Sequence, residues 1–333
     1  MSLCSTQGRP RRGRLPATIL AFGLVAAGCG DNSTKTGAQP PPITGGPASL
    51  RVAYVPATTV LPLHIAKQQG FFEKNDLDVT LTEVANISEI PATLGRQFDI
   101  SLGTATDLIR AGAAGVDVVQ VSGNTVSTRA NPFVQLIVKP DSGITDVAGL
   151  KGKTVGSPTL SGVIHAAVKY SAKQKGVDPS TIGEVEAPTP NLPDQLKAGR
   201  IDAVEALEPI ASQLIKAGNV SIGAPFDAIA DPLATNFYIA QGAWAEKNRD
   251  VIARFVDSLK QSQAFIASNP AEARKILQDY TKLPEAVAST VPLPTYNFDL
   301  RTGDLDIWVK VLKDIGDFAG QVDTKKLVLS PGK

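Results

Sequence analysis

From Leu50 onward, short apolar segments rich in β-branched residues alternate with helical segments, and this alternation leaves few folds open to the chain. The predicted strands are residues 50–55, 77–84, 98–102, 116–121, 154–156 and 182–187. The predicted helices are residues 61–69, 88–94, 106–114 and 161–175. Strands separated by helices favour parallel pairing with right-handed crossovers. The sequence therefore predicts an α/β protein with mainly parallel sheets flanked by helices.

A short internal similarity divides the folded part into two units. Residues 91–102 and 193–204 share one plan, in which a helical segment, a Gly/Arg turn and an apolar residue precede Asp99 or Asp202 and a strand. After Asn236, apolar residues recur at helical spacing, which indicates helices packed on a core. About 285 residues follow the predicted start near Ser49, which is enough for two lobes of ordinary size.

The first 28 residues have the pattern of a signal peptide. Arg9, Arg11, Arg12 and Arg14 precede an uninterrupted, weakly polar run over residues 15–27. A helix of that length spans roughly 20 Å, which is short of the roughly 30 Å hydrocarbon core that a permanent membrane helix must cross. We therefore expect export of the chain.

Cys29 ends the segment Val-Ala-Ala-Gly-Cys, which resembles a lipobox, the bacterial signal for lipidation of a cysteine and cleavage before it. Cys4 would leave with the signal peptide, so Cys29 would be the only thiol of the mature protein. Residues 29–48 offer little to bury and are predicted to be a flexible tether. We expect the lipid to anchor the protein at the outer face of the cell membrane. The alternative is an ordinary signal peptide that is cut nearby.

The balance of charges argues against nucleic acid as a partner. Loss of the four n-region arginines, from a total of 33 Lys and Arg, leaves fewer basic residues than the 32 acidic ones. No basic block follows Cys29, so the electrostatic footprint of a nucleic-acid-binding protein is missing from the sequence. The sequence also contains no Gly-rich phosphate fingerprint, no Gly-x-Ser-x-Gly elbow and no paired metal motif, and we predict neither cofactor nor metal.

Several short motifs follow one another in a specific order. They are Arg51-Val-Ala-Tyr54-Val-Pro, Pro62-Leu-His64-Ile-Ala-Lys67, Gly70-Phe-Phe-Glu73, Leu77-Asp-Val79, Gln97-Phe-Asp99-Ile-Ser-Leu-Gly103, Asp146-Val-Ala-Gly-Leu150-Lys-Gly-Lys153, Ala198-Gly-Arg-Ile-Asp202 and Glu208-Pro209. With this order and spacing, the chain resembles the sulfonate, nitrate, taurine and thiamine-pyrimidine group of type II periplasmic binding proteins. The resemblance covers nearly all of the expected mature chain.

This resemblance implies a two-lobed type II periplasmic binding protein fold, with two crossover strands as the hinge. The crossovers would be residues 131–138 and 235–241; lobe one would comprise residues 49–138 and 236–333, and lobe two residues 139–235. It also implies that a monomer captures a small polar solute, such as a sulfonate, nitrate or a pyrimidine-like compound, between the lobes. The partners would be an ABC permease and its ATPase.

Ligands of open α/β sheets bind at the carboxyl ends of the strands, beside helix N-termini. That rule selects loops rich in hydroxyl groups and without lysine or arginine, although Ser and Thr at such positions are often only N-caps. The predicted ligand contacts are Tyr54, Thr58, Thr59, His64, Thr104, Thr106, Asn124, Asn131, Ser157, Thr159, Ser161, Glu208 and Asn236.

Two acidic residues of the predicted second lobe complicate the choice of ligand. Glu205 lies within an apolar strand, where an unpaired charge is costly, so it should have a partner. Glu208 would repel an anion and attract an amino group, or it could serve as a structural cap. His64 and His165 are the two histidines, and each is either a cleft residue or a packed helix residue.

Two functions of other kinds remain open. The group that the chain resembles includes fungal pyrimidine synthases, which share the fold, consume an active-site histidine and use a cysteine-rich stretch for iron. The absence of cysteine after Cys29 argues against that chemistry here. A lipoprotein that presents its ligand to a sensor is the other alternative, and genes for a permease and an ATPase beside this one would favour import.

Overall fold

A computed structural model describes residues 46–84 and 90–330. Its strands are β1 (Ala48–Tyr54), β2 (Leu77–Glu83), β3 (Ile100–Thr104), β4 (Val119–Ser127), β5 (Val134–Val138), β6 (Thr154–Ser157), β7 (Gly183–Glu186), β8 (Ala203–Leu207), β9 (Val220–Ser221), β10 (Leu233–Ala240) and β11 (Thr295–Tyr296). Its α-helices are α1 (Leu61–Gln68), α2 (Phe71–Lys74), α3 (Ala105–Ala113), α4 (Val163–Gln174), α5 (Leu192–Lys197), α6 (Ile210–Lys216), α7 (Gly242–Lys247), α8 (Arg249–Ser268), α9 (Pro270–Thr281), α10 (Glu285–Ala288) and α11 (Asp304–Asp314). The predicted signal peptide, Cys29 and most of the predicted tether lie outside the described residues.

The strands form two sheets, and we call the parts built on them lobe one and lobe two. Sheet one has the order β11-β4-β10-β3-β1-β2, and sheet two has the order β7-β6-β8-β5-β9. Helices flank both sheets, so the predicted two-sheet α/β fold is confirmed.

Each sheet is mixed, because a strand that runs the other way is inserted among parallel ones. In sheet one, β1 pairs in parallel with β2 and β3, whereas β10 is antiparallel to both β3 and β4. In sheet two, β6 pairs in parallel with β7 and β8, whereas β5 is antiparallel to β8 and β9. The alternation of strands and helices predicted parallel pairing, and it does not reveal a strand that arrives from the other lobe.

Two local expectations differ from the structure. Residues 134–138 were expected at the end of lobe one, yet β5 pairs with β8 in sheet two. Within the predicted helix 88–94, Ile90–Thr93 form one 3₁₀ turn, and residues 88 and 89 lie outside the described part. That turn is closed locally, because the Thr93 hydroxyl donates to the Ile90 carbonyl over 2.8 Å.

The internal similarity of the sequence corresponds to one structural device used twice. Asp99 Oδ2 accepts the Arg51 backbone N–H over 2.8 Å, and Asp202 Oδ2 accepts the Thr154 backbone N–H over the same distance. In each lobe the aspartate precedes a central strand, β3 or β8. It therefore joins the start of that strand to the neighbouring strand, β1 or β6. The guanidinium of Arg51 adds a 2.7 Å bond to Asp99 Oδ1.

The apolar core has one layer on each face of each sheet. In lobe one, the first layer packs sheet one against α1, α8 and α9, and the second packs the opposite face against α3 and α11. In lobe two, separate layers cover the two faces of sheet two. Among the described residues, no helix is both long enough and apolar enough to cross a membrane.

Helix α11 contacts both lobes. Trp308 is fully buried in this helix, and its indole Nε1 donates to the Ala234 carbonyl of β10 over 3.0 Å. The same apolar layer includes Val163 and Ala167 of α4, which belongs to lobe two. An ion pair of 2.8 Å between Lys169 and Asp317 extends this contact beyond the end of α11. The two lobes are therefore joined by packed side chains as well as by chain crossovers.

Candidate functional site

The candidate site lies at the carboxyl ends of the central strands, where α3 of lobe one contacts the loop that precedes α4 of lobe two. In lobe one β1 ends at Tyr54 and β3 at Thr104, and in lobe two β6 ends at Ser157. Arg110 Nη1 in α3 donates to the Ser161 carbonyl over 2.7 Å, so the two lobes touch here. Strand ends of this kind are the usual ligand sites of open α/β sheets.

Three side chains hold the loop that follows β1. The hydroxyl of Tyr280 donates to the Ala57 carbonyl over 2.7 Å, and that of Tyr296 donates to the Thr58 carbonyl over 2.7 Å. Asn124 Nδ2 donates to the Thr59 carbonyl over 3.2 Å. The loop leads into a 3₁₀ turn and then α1, and neither has a side-chain N-cap. The first N–H groups of this segment can therefore donate to a ligand.

His64 lies in α1 within a cluster of aromatic rings. Its imidazole stacks on Tyr280 with ring centroids 3.7 Å apart, and the edge contact with Tyr54 has a centroid distance of 5.0 Å. Burial lowers the pKa of His64 to about 4, because this environment disfavours the charged ring. The histidine is therefore neutral at physiological pH and cannot pair with an anion through a full charge.

Three buried polar atoms near this loop have no hydrogen-bond partner among the described residues. They are His64 Nε2, Asn124 Oδ1 and the Tyr238 hydroxyl. Buried polar groups normally have partners, so each such group calls for an explanation. The Asn124 amide cannot simply be reversed, because its Nδ2 already serves the Thr59 carbonyl. Asn124 thus presents an acceptor, which only a donor can satisfy.

The lobe-two side of the site contains the predicted contact Ser157 and the buried charge of Glu205. Ser157 donates to Glu205 Oε2, and Glu205 Oε1 lies 2.8 Å from His165 Nδ1. Both Glu205 and His165 are almost fully buried. The prediction that Glu205 has a partner is therefore confirmed. Helix α4 begins after Gly162, which supplies no side-chain cap.

Glu208 follows β8 and is half-buried at the start of α6. Its Oε2 accepts the Ser212 backbone N–H over 3.3 Å, as a helix cap does. Burial raises the pKa of Glu208, although the hydrogen bond from Ser212 opposes that shift. Among the described residues only Ser212 donates to this carboxyl, so its other oxygen can face a ligand.

Other predicted contacts have structural roles. Thr104 caps α3, because its hydroxyl accepts the Asp107 N–H and donates to Asp107 Oδ2 over 2.6 Å. Thr106 is fully buried beside it, with the two hydroxyl oxygens 3.0 Å apart. Asn131 Nδ2 donates to the Leu293 carbonyl over 2.9 Å.

The remaining predicted contacts form hydrogen bonds with neighbouring strands or within their own loops. Asn236 Oδ1 accepts the Thr125 hydroxyl over 3.2 Å. The hydroxyls of Thr159 and Ser161 lie 3.3 Å apart in the loop before α4. Thr58 and Thr59 are buried, and their carbonyls are the ones that Tyr296 and Asn124 hold.

Sequence reasoning missed three tyrosines of this site. Tyr238 lies in β10, within the expected crossover 235–241, whereas Tyr280 of α9 and Tyr296 of β11 lie in the later segment that predicts packed helices. Tyrosine carries a polar tip on an apolar ring, and this was the available signal. Nothing local in the sequence shows that the hydroxyls of Tyr280 and Tyr296 converge on the carbonyls of Ala57 and Thr58.

A family model described as NMT1/THI5 like matches residues 57–273. A 4-amino-5-hydroxymethyl-2-methylpyrimidine phosphate synthase of Saccharomyces cerevisiae is 26% identical over 235 residues, which cover 66% of this chain and 67% of the yeast protein. A Brachyspira hyodysenteriae protein named as an ABC transporter periplasmic binding protein is 23% identical over 279 residues, covering 79% of this chain and 77% of that protein.

Solved structures have the same fold. The periplasmic aliphatic sulphonate binding protein SsuA from Escherichia coli has a TM-score of 0.73 at 20% identity, covering 85% of this chain and 98% of that one. The periplasmic nitrate-binding protein NrtA from Synechocystis has a TM-score of 0.68 at 15% identity, covering 84% of each chain. Because the family model spans well over half of the sequence and the fold agrees, this chain belongs to the NMT1/THI5-like family.

Proposed function

We propose that the protein is the exported, lipid-anchored substrate-binding component of an ABC importer, and that it captures a small amino-bearing heterocycle between its lobes. The observation that carries this proposal is the contact between α3 of lobe one and the loop before α4 of lobe two, at an edge where α1 and α4 begin without side-chain caps. Periplasmic binding proteins among the relatives support the import role.

We also propose that the lobes are divided according to their sheets. Lobe two would then include residues 134–138 in addition to residues 139–232, since β5 pairs with β8 and β9. The crossovers would be the segments just before β5 and just before β10. The working unit would be a monomer, because one chain contributes both walls of the cleft.

The polarity of the site favours an amino-bearing ring over a sulfonate or nitrate. An oxyanion offers only acceptors, and it would leave Asn124 Oδ1 without a donor. Neutral His64 supplies no full positive charge, and Glu208 adds a carboxyl group near the strand ends. An aminopyrimidine supplies donors and acceptors together, and its flat ring suits a wall of aromatic side chains.

The ligand class is testable with three probes: 4-amino-5-hydroxymethyl-2-methylpyrimidine, the sulfonate MOPS, and nitrate. We expect the pyrimidine to raise the melting temperature, because a ligand at about 100 times its dissociation constant stabilises the folded state by about 2.7 kcal/mol. Mass spectrometry of small molecules that co-purify with the protein provides an independent identification. Stabilisation by MOPS or nitrate and not by the pyrimidine would contradict the proposed class.

Glu208→Gln separates the two ligand classes by the direction of its effect. Loss of a charge-assisted hydrogen bond should weaken binding of the pyrimidine by about ten- to a hundredfold, whereas an oxyanion should bind equally well or more tightly. Glutamine keeps an oxygen that can accept from Ser212, so the start of α6 is preserved. Calorimetry would measure the affinities, with the exposed Glu285→Gln as the matched control. If the affinity for the pyrimidine is unchanged in the variant, Glu208 does not contact the ligand.

Cys29→Ser tests the lipid anchor, which lies in the part of the chain that precedes the described residues. We expect the variant to move from the membrane fraction to the soluble fraction, because a hydroxyl cannot form the thioether. Intact-protein mass spectrometry should show loss of the lipid at the same time. Unchanged partition together with unchanged mass would rule out lipidation at this residue.

A synthase is the second candidate function, and the 26% identity with the yeast enzyme favours it. The resemblance implies iron held by a cysteine-rich stretch, and this chain has no cysteine beyond Cys29. Its residues therefore do not fit that iron site. Formation of a pyrimidine phosphate by this protein, under conditions in which the yeast enzyme is active, would support the synthase function.

A further inference from the structure

A chain of four hydrogen-bonded side chains crosses lobe two, and it reaches the candidate ligand site only through Ser157, one of the predicted contacts. Its members are Glu184 of β7, His165 of α4, Glu205 of β8 and Ser157 of β6. We propose that Glu205 and His165 are positioning residues, which hold the cleft loop 157–162 through Ser157 and release it when the imidazole loses its second proton.

The imidazole of His165 lies between two carboxyl groups. Its Nδ1 lies 2.8 Å from Glu205 Oε1, and its Nε2 lies 2.8 Å from Glu184 Oε1. An ionised carboxylate only accepts hydrogen bonds, so a ring between two carboxylates must carry a proton on each nitrogen. With both glutamates ionised, the chain is an imidazolium between two carboxylates, and it has one net negative charge.

Titration of the ring follows from the groups that face it. Burial alone would lower the pKa of His165, but the hydrogen bonds and charges of Glu205 and Glu184 outweigh burial and raise it. The nearest cation on α4, Lys169, is one turn further along and pairs with Asp317 over 2.8 Å. No three His, Cys, Asp or Glu side chains in residues 46–84 and 90–330 are arranged as a metal site.

The inner end of the chain determines the shape of the cleft loop. Ser157 is fully buried at the end of β6, where its hydroxyl contacts Glu205 Oε2 and also lies 2.8 Å from the Thr159 carbonyl. The Ser157 oxygen accepts the Thr159 N–H over 3.3 Å, which folds the loop back on the strand end. The loop then reaches Gly162, and α4 begins there with its uncapped N–H groups.

The outer end of the chain reaches solvent. About a third of the Glu184 side chain is exposed, whereas the His165 side chain is 2% exposed. Glu184 lines a groove of about 630 Å³ between α4 and residues 176–182. Protons can therefore reach the buried imidazole from the groove without passing through the ligand cleft.

The sign of the effect follows from these groups. Below the raised pKa of His165 both carboxylates receive a donor, and the loop is held. As the pH rises through that pKa, one nitrogen loses its proton, one carboxylate loses its donor, and the hold on Ser157 weakens. Loop order should therefore be greatest below the raised pKa of His165 and should decrease as the pH rises through it.

The whole chain contains two histidines, so the proton state of the His165 ring can be measured directly. In ¹⁵N-labelled full-length protein without ligand, we expect His165 to show two ring N–H signals at pH 7, and His64 to be neutral. In His165→Gln, amide exchange over residues 159–162 should accelerate roughly tenfold, the equivalent of about one lost hydrogen bond. A single ring N–H on His165 at pH 7, or unaltered exchange in a folded variant, would overturn the proposal.

Glu184→Gln provides a second variant, which keeps an oxygen at the exposed end of the chain and removes its charge. It should move the His165 titration to lower pH while the protein stays folded, and Glu285→Gln should leave that titration in place. An unmoved titration in Glu184→Gln would overturn the proposal even if His165→Gln fails to fold.

The consequence for binding rests on the proposed function, so it is measured separately. In His165→Gln, affinity for 4-amino-5-hydroxymethyl-2-methylpyrimidine should fall roughly tenfold, as loop order is lost. If the wild type binds none of the three probes, the proposed function fails while the exchange result still tests the positioning role. If the wild type binds the pyrimidine and His165→Gln binds it equally well, the positioning role is contradicted.

Discussion

Trp308→Ala should lower the free energy of unfolding by about 3 to 5 kcal/mol, the range for removing a large buried aromatic side chain. The indole is fully buried, and its ring meets Phe226 edge-on with centroids 5.8 Å apart. Its Nε1 bond to Ala234 is lost as well, which leaves a buried carbonyl with one partner fewer. The cavity would open where α11 contacts both sheet one and α4.

Trp244 offers a matched control, since it is the second of the two tryptophans and is only partly buried on α7. Urea denaturation of both alanine variants would give the two losses, and the remaining tryptophan would report each transition by fluorescence. A loss in Trp308→Ala no greater than that in Trp244→Ala would contradict the role of α11 in the core.

Acidification from about pH 6.5 to pH 4 should cost the protein about 3 kcal/mol through His64 alone. Burial lowers the folded-state pKa of His64 from 6.5 to about 4, so the unfolded chain binds the additional proton within this range. The stabilising contribution is complete above pH 6.5 and disappears as the pH falls towards 4. His165 has the opposite sign, because its pKa is raised and its contribution is lost at higher pH.

His64→Phe isolates this contribution, because it keeps a ring against Tyr280 and removes the titrating group. Carboxylates titrate in the same pH range, so the informative quantity is the difference in unfolding free energy between wild type and variant at each pH. That difference should shift in favour of the variant as the pH falls. A constant difference from pH 7 to pH 4 would mean that His64 remains accessible to protons in the folded state.

Local patterns in the sequence predicted the two-sheet fold, because apolar periodicity and turns are properties of neighbouring residues. The match between the segments around Asp99 and Asp202 predicted two similar lobes, and each aspartate accepts a backbone N–H from the strand beside its own. The direction of β10 was not predictable in this way. Its neighbours β3 and β4 are distant in sequence, and a strand carries no local mark of its orientation.

The site was predictable only in part, for the same reason. Position at strand ends selected Asn124 and His64, which have unpartnered polar atoms in the described part of the chain. The same rule also selected Thr104, whose hydroxyl serves α3 as a cap. Burial predicted that Glu205 needs a partner, but its partners come from α4 and β6, and their identity depends on tertiary packing.

The packing of α11 against both lobes determines how the cleft can open. A hinge would let lobe two swing freely about the crossovers, but Val163 and Ala167 are buried in the same layer as Trp308. We therefore expect opening to include a shear component, in which α4 slides along α11 by small steps while the apolar layer stays covered. Packed helices tolerate displacements of about 1 to 2 Å in such a motion. Opening by such small steps would favour a flat solute that enters edge first.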